Sequence, residues 1–165
     1  YIIDVLKMLL GSNIKYNLEP EYLLLESQGD LDGLSDTIQS LESDLNALIH
    51  FYQTETDQPE KEISLILESF LKMSYGHYQF KSLLLNIKGK AEATELFNFI
   101  VEGTGITDEI ILAMADCNLN VSQASQMLYM HRNTLLYKIE RLISLKGFDL
   151  KNFNDLYILV QLLRA

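Results

Sequence analysis

The stretch from Asn120 to Leu142 constrains the chain more than any other. Two short amphipathic segments lie either side of Tyr129-Met130-His131, and neither contains proline. The first carries Val121, Ala124, Met127 and Leu128 at a spacing that gathers them on one helical face. The second repeats the pattern with Leu135, Ile139, Leu142 and Ile143. Three residues between helices suffice only for a tight turn, so the helices must cross steeply. That is the plan of a helix-turn-helix, whose second helix enters the DNA major groove.

The residues outside the apolar stripes fit this plan. Arg132, Asn133 and Thr134 fall in the first turn of the second helix, expected over about 132–145, where such proteins reach base edges and phosphates. Arginine suits the guanine edge, asparagine the adenine edge, and threonine a phosphate or a thymine methyl. Lys138 and Arg141 lie one to two turns further on, within reach of the backbone. Asn120 suits an N-cap, with Gln123 completing an Asn variant of the capping box. Ser122 and Gln123 then lie where free N–H groups attract a phosphate. His131 is expected at the start of the second helix, as a phosphate contact.

The pieces Asn120-Val121-Ser122, His131-Arg132-Asn133-Thr134-Leu135 with Tyr137, and Gly147-Phe148-Asp149-Leu150 carry a wider likeness. With them, the stretch from about Asn118 to Arg164 resembles the C-terminal helix-turn-helix of the PucR/CdaR family of bacterial transcriptional regulators. It also resembles the helix-turn-helix of the Fis group. The resemblance implies a DNA-binding surface built from Ser122, Gln123, His131, Arg132, Asn133, Thr134, Tyr137, Lys138 and Arg141. It also implies an N-terminal body that dimerises or transmits a signal. Two positions depart from the family pattern. Tyr129 stands where glycine is usual, at a cost of about 1 kcal/mol in a left-handed backbone, so a re-shaped turn is expected. Leu136 stands where arginine is frequent, and each lost phosphate contact removes roughly one unit from the salt dependence of binding.

The net charge of −10 is unevenly spread. Residues 118–165 hold six basic and three acidic residues, a net +3, which leaves −13 on the first 117. A mildly basic reader on an acidic body favours orientation over indiscriminate binding, with affinity dependent on a homodimer. At 165 residues and 48% apolar the chain can build one ordinary domain or two small ones. It starts at Tyr1 within an apolar pattern, which reads as a fragment whose preceding sensing region is absent. The lone Cys117 excludes an internal disulfide and suits the cytoplasm; it reads as a small buried hydrophobe. Charges interrupt every apolar run, so neither a membrane span nor a signal peptide is expected.

In order, the spacing predicts a helix over 1–10 ending at Gly11, with Ile2, Val5, Leu6 and Leu9 inward. A strand follows at Tyr22–Glu26, then a loop at Gly29–Gly33, whose two aspartates lack calcium-loop spacing and read as helix capping. A helix is expected over 34–46, a strand over 47–52 and a polar loop at Thr54–Gln58. Pro59 opens a helix over 60–74 through Ile63, Ile66, Leu67, Phe70 and Leu71. The aromatic run Tyr75–Phe80 reads as core packing with a turn at Gly76; its other reading is the lining of an effector pocket or a dimer surface. A third strand is expected at Leu83–Ile87, and a helix over 91–102 with Ala93, Leu96, Phe97 and Ile100 inward. Gly103-Thr104-Gly105 marks a domain boundary between a regulatory or dimerisation region, 1–104, and a helix-turn-helix domain, 105–165. Thr107 caps a helix over 108–116 with an acidic first turn, Gly147 ends the recognition helix, and Asn152 or Asn154 starts the last one. Its inward residues are Leu156, Leu159, Val160 and Leu163. The fold class is mainly α, a helical bundle preceded by a small α+β region for which an all-helical reading is nearly as good.

No P-loop, dinucleotide fingerprint, Gly-x-Ser-x-Gly elbow or His-Glu-x-x-His is present, and His50, His77 and His131 are scattered. The chain is not expected to be an enzyme, nor to hold a cofactor or metal. The expected function is sequence-specific DNA binding by a transcriptional regulator, with duplex DNA and a second copy as partners and a small-molecule effector as a further one. The alternative is a protein-interaction adaptor that keeps the fold without DNA binding and uses Tyr129, Met130, Leu136 and Tyr137 as an apolar contact surface.

Overall fold

Short apolar repeats of helical period dominate the second half of the chain, and the structure, a computed structural model, is mostly helical among the residues it describes. These are 4, 15–18, 23–26, 34–46, 51–53, 58–73 and 77–165. The expected helix over 1–10 (Asp4, which is helical, apart), the loop Gly29–Gly33, residues 47–50, Thr54–Asp57, Tyr75 and Gly76 lie outside them. The chain divides into two compact units, residues 1–50 with 75–77, and residues 51–74 with 78–165.

In the first unit, β1 (Lys15–Leu18) pairs antiparallel with β2 (Leu23–Glu26), in a register that sets Lys15 opposite Glu26 and Leu18 opposite Leu23. The sequence reading placed β2 but assigned nothing to β1, where Lys and Asn are poor strand formers and cross-strand pairing supplies the order. Helix α1 (Leu34–Leu45) follows as expected and ends at Asn46, whose φ of 47° closes the last turn.

The second unit holds α2 (Pro59–Leu71), α3 (Phe80–Leu84), α4 (Lys90–Val101), α5 (Asp108–Asp116), α6 (Val121–Met127), α7 (Arg132–Lys146) and α8 (Phe153–Arg164). The short strand β3 (Phe51–Gln53) pairs with β4 (His77–Gln79). Proline opens α2, and the inward face is Ile63 and Ile66, with Leu67 and Phe70 half-buried; Leu71 is exposed, against expectation. The third expected strand, Leu83–Ile87, is overturned. Phe80, Leu83, Leu84 and Ile87 repeat at helical spacing, and the chain takes that period as α3, burying Leu83 and Leu84 and exposing Leu85. The Ser82 hydroxyl accepts from the Gln79 N–H at 3.1 Å and sets its start. Of the aromatic run, Tyr78 and Phe80 pack on the core; Phe80 meets Phe99 and Phe148 edge-on, each at 6.3 Å between centroids.

Helices α4, α5 and α8 form the centre, with α6 and α7 laid on it. Ala93, Leu96, Phe97 and Ile100 are buried as the spacing required, joined by Phe99. Gly103-Thr104-Gly105 connects α4 and α5 inside one compact unit. Thr104 is buried, donates to the Val101 carbonyl at 2.7 Å and accepts from the Ile106 N–H at 3.0 Å, so the segment is a bonded corner of the core. The Thr107 hydroxyl caps no α5 amide; it lies beside Glu109 and holds that carboxyl below its ordinary range. Among the described residues, no helix is long and apolar enough to cross a membrane.

Two polar groups tie this unit together. Lys81 of α3 donates to both Asp155 carboxylate oxygens at 2.8 Å and to the Gly147 carbonyl at 2.6 Å, and its ammonium lies 4.7 Å from the Phe148 ring centre. Asp155 also accepts the Asp149 N–H at 2.8 Å. Lys81→Met is expected to destabilise the fold by about 1–3 kcal/mol, because it strands a nearly buried carboxylate; chemical denaturation of the two forms measures the loss.

The second is Glu62, only 2% exposed, whose carboxylate accepts from the Tyr52 hydroxyl. Burial raises its pKa from 4.5 to about 8, against the opposing pull of Lys146. Unfolded, Glu62 ionises near 4.5; folded, it keeps its proton to about 8. Between these values the folded chain binds more protons. The contribution to stability is therefore full below about 4.5, falls as pH rises and levels off above about 8. Glu62→Gln is expected to flatten that decline in melting curves taken across the same pH range.

Candidate nucleic-acid interface

The expected crossed pair forms. Helix α5 ends in a turn in which Asn118 N–H bonds the Ala115 carbonyl at 3.1 Å and Leu119 N–H the Met114 carbonyl at 2.9 Å. Helix α6 then starts at its cap, Asn120, whose side-chain oxygen accepts from Ser122 N–H at 3.0 Å and Gln123 N–H at 3.2 Å. The reciprocal arm of the expected capping box is missing, because Asn120 N–H bonds Cys117 instead. The two amides expected to attract a phosphate are thus already engaged by Asn120. The buried face of α6 is Val121, Ala124 and Ser125; Met127, expected inward, is 52% exposed. Ser125 is held in the core by donating to the Ser122 carbonyl at 2.9 Å.

The turn between α6 and α7 keeps the left-handed geometry that usually calls for glycine. Tyr129 has a φ of 49°, its N–H bonds Gln126 at 3.1 Å, and Met130 N–H bonds Ser125 at 2.9 Å, a Schellman closure. The re-shaped turn expected for tyrosine is therefore not found. The tyrosine side chain escapes any clash by lying wholly in solvent, 100% exposed.

His131 is the N-cap of α7, its Nδ1 accepting from Asn133 N–H at 3.2 Å, which places the imidazole proton on Nε2. Leu135, Ile139 and Leu142 are completely buried, while Ile143, expected with them, sits at the edge of the helix's exposed side. Gly147 ends the helix with φ 71°. Leu136 is half-buried against the core, so its side chain serves packing.

Asn133, Thr134, Tyr137 and Arg141 share the outward face of α7, all exposed. Arg132 lies toward α6, its Nε donating to the Ser122 hydroxyl oxygen at 3.1 Å, so the structure joins these two predicted residues directly. Gln123 is exposed one residue further along α6. Lys138 departs from the expected set: it is half-buried and its ammonium donates to the Gly105 carbonyl, away from the outward ridge. Glu140 was missed by the sequence reading. It sits on the same ridge, at the spacing Asn133, Tyr137, Glu140, Ser144 that could have found it, and places a negative charge among the candidate contacts.

Residues 109–165 match the PucR C-terminal helix-turn-helix domain. This part of the chain is a PucR-type domain. The chain is also similar to the carbohydrate diacid regulator of Escherichia coli (strain K12), 33% identical over an alignment of 96 residues, with 53% of this chain and 25% of that protein covered. It thus spans about a quarter of the length of the curated relative it matches. No solved structure matches it. The PucR-type domain takes in α6, the turn, α7 and α8 and nearly all of α5, but neither Lys81 nor Phe99.

The left-handed tyrosine of this PucR-type domain gives a direct test. Tyr129→Gly is expected to stabilise the fold by about 1 kcal/mol, read as a rise in the midpoint of denaturant unfolding.

Proposed function

We propose that this chain is the C-terminal part of a transcriptional regulator that binds specific duplex DNA through α6, the turn and α7. What carries the reading is the outward ridge of α7, with Asn133, Thr134, Tyr137 and Arg141 exposed and Arg132 bonded to Ser122 at the crossing, on a PucR-type domain. Side chains of these types offer the donors and acceptors that duplex DNA requires at base edges and phosphates. Gln123 and His131 flank the ridge as phosphate contacts, His131 through the Nε2 proton that its cap leaves free, while Ser122, expected as a third, is bonded to Arg132 instead. Lys138 serves the fold rather than the DNA. The chain acts in the cytoplasm as a homodimer and performs no catalysis. Residues 1–104 serve as its regulatory or dimerisation region, answering to a small-molecule effector or to a sensing region upstream, and 105–165 as the reader. The core in which the reader is built nevertheless extends upstream through α4 and α3.

A second reading, an adaptor that keeps the fold without DNA binding, draws on a different observation. Met127, Tyr129 and Tyr137 are more than half exposed around the turn, and Glu140 stands on the ridge. Such a surface suits a protein partner as well.

The two readings part in one experiment. The chain is incubated with a fully randomised duplex library, bound duplexes are selected, and the selected site is titrated between about 50 and 200 mM salt. The regulator reading expects saturable binding that weakens with salt and falls by at least tenfold in Arg132→Ala. Absence of binding at low salt by a chain shown to be folded and dimeric favours the adaptor.

A further inference from the structure

Arginine is a flexible side chain that ends in a rigid plane, and holding one of its nitrogens fixes the direction of the other two. Arg132 is held in this way. Its Nε donates to Ser122 Oγ at 3.1 Å across the crossing of α6 and α7, and among the described residues no other group bonds the guanidinium. Ser122 is itself fixed at both backbone groups. Its N–H bonds the Asn120 side chain at 3.0 Å, and its carbonyl accepts from Ser125 Oγ at 2.9 Å, with Ser125 buried. The anchor is therefore fixed to the crossing through its backbone, although Ser122 and the guanidinium both lie in solvent.

Resting on the DNA-binding reading, we propose that Ser122 is a positioning residue, which holds Arg132 by Nε and so presents its two Nη nitrogens as a preset pair to a two-acceptor group on duplex DNA. A guanine edge, with O6 and N7, and a backbone phosphate, with two free oxygens, both have that chemistry. The order gained before binding is order that binding no longer has to impose. This role differs from direct phosphate contact by the α6 amides, because those of Ser122 and Gln123 are already taken by Asn120. It also accounts for an arginine at this place, since lysine has no second nitrogen through which it can be held while it binds.

The test is a double-mutant cycle on the full chain with the selected duplex: Ser122→Ala, Arg132→Ala and the two combined, with Ser122→Thr as the conservative variant. Ser122 is exposed, and melting curves confirm that each variant is folded. Ser122→Ala is expected to weaken binding roughly three- to tenfold, to add nothing in the Arg132→Ala background, and to be rescued by Ser122→Thr. Two further readouts separate the acceptors. A guanine partner confines the loss to duplexes carrying one particular guanine. A phosphate partner weakens every duplex alike, and Arg132→Ala lowers the salt slope by about one. Wild-type affinity in Ser122→Ala, or an equal loss with and without Arg132, overturns the positioning role while DNA binding stands. Failure of the wild-type chain to bind any duplex overturns both.

Discussion

The placement of α7 depends on a single ammonium group. Lys81 Nζ reaches the last carbonyl region of α7 at Gly147 and the carboxylate at the start of α8, Asp155, at once. A helix C-terminus carries partial negative charge and a helix N-terminus partial positive charge. A cation at the first and an anion at the second are both favourable, and here the cation and anion also bond each other. Asp155 is nearly buried, and a buried carboxylate is tolerated only with its lone pairs satisfied. Lys81 and the Asp149 N–H satisfy them. The angle between α7 and α8 is thus fixed by a residue 28 positions upstream of the matched domain's first residue. The Phe80, Phe99 and Phe148 rings pack around the same junction, so the matched domain and the two helices before it share one core.

The crossing itself relies on backbone conformations that side chains resist. Asn118, Leu119 and Tyr129 all have positive φ, at 50°, 66° and 49°. Asparagine tolerates this region; leucine and tyrosine do not do so cheaply. Both are held by Schellman bonds at the ends of α5 and α6, and Leu119 is also packed against the core. Strain of this kind persists where surrounding contacts over-determine the geometry. Here those contacts are the buried faces of α5, α6 and α7, which leave the connections no slack.

This explains which parts of the fold were legible in the sequence. The apolar periods of α4, α7 and α8, the caps Asn120 and Gly147 and the proline start of α2 are local signals that place their elements. Asn152 and Asn154 are equal candidates for the cap of α8 in the sequence, and the structure has Asn152 in that place. Leu83-Leu84-Leu85 was misread because a short leucine run carries no period of its own; only Phe80 and Ile87, outside the run, reveal the helical spacing. The kept turn at Tyr129 is not legible locally, because the local cost of a left-handed tyrosine leaves out the tertiary contacts that hold the turn. In the candidate interface, exposure of Arg132, Asn133, Thr134, Tyr137 and Arg141 followed from the helical period. The engagement of Lys138 by Gly105 could not be read from the sequence, since it joins residues 33 positions apart.

The distribution of free charge bears on how such a surface would hold DNA. Of the six cations in 118–165, Lys138 is bonded to Gly105, Lys146 lies 4.1 Å from the Phe99 ring centre, and Lys151 is within 3.9 Å of Asp149. Arg164 ends α8. The α6–α7 surface therefore presents Arg132 and Arg141 against Glu140. Counterion release scales with the number of phosphates neutralised, about 0.9 in log–log salt slope for each. Two cations per copy supply little of it, so on the DNA-binding reading a lone copy would be a weak binder. Two copies joined through the chain would double the contacts and make the second engagement effectively intramolecular, which multiplies affinity without any new type of contact. On the same reading, a surface this sparing in charge would gain specificity from a second copy, because a single half-site could not retain it.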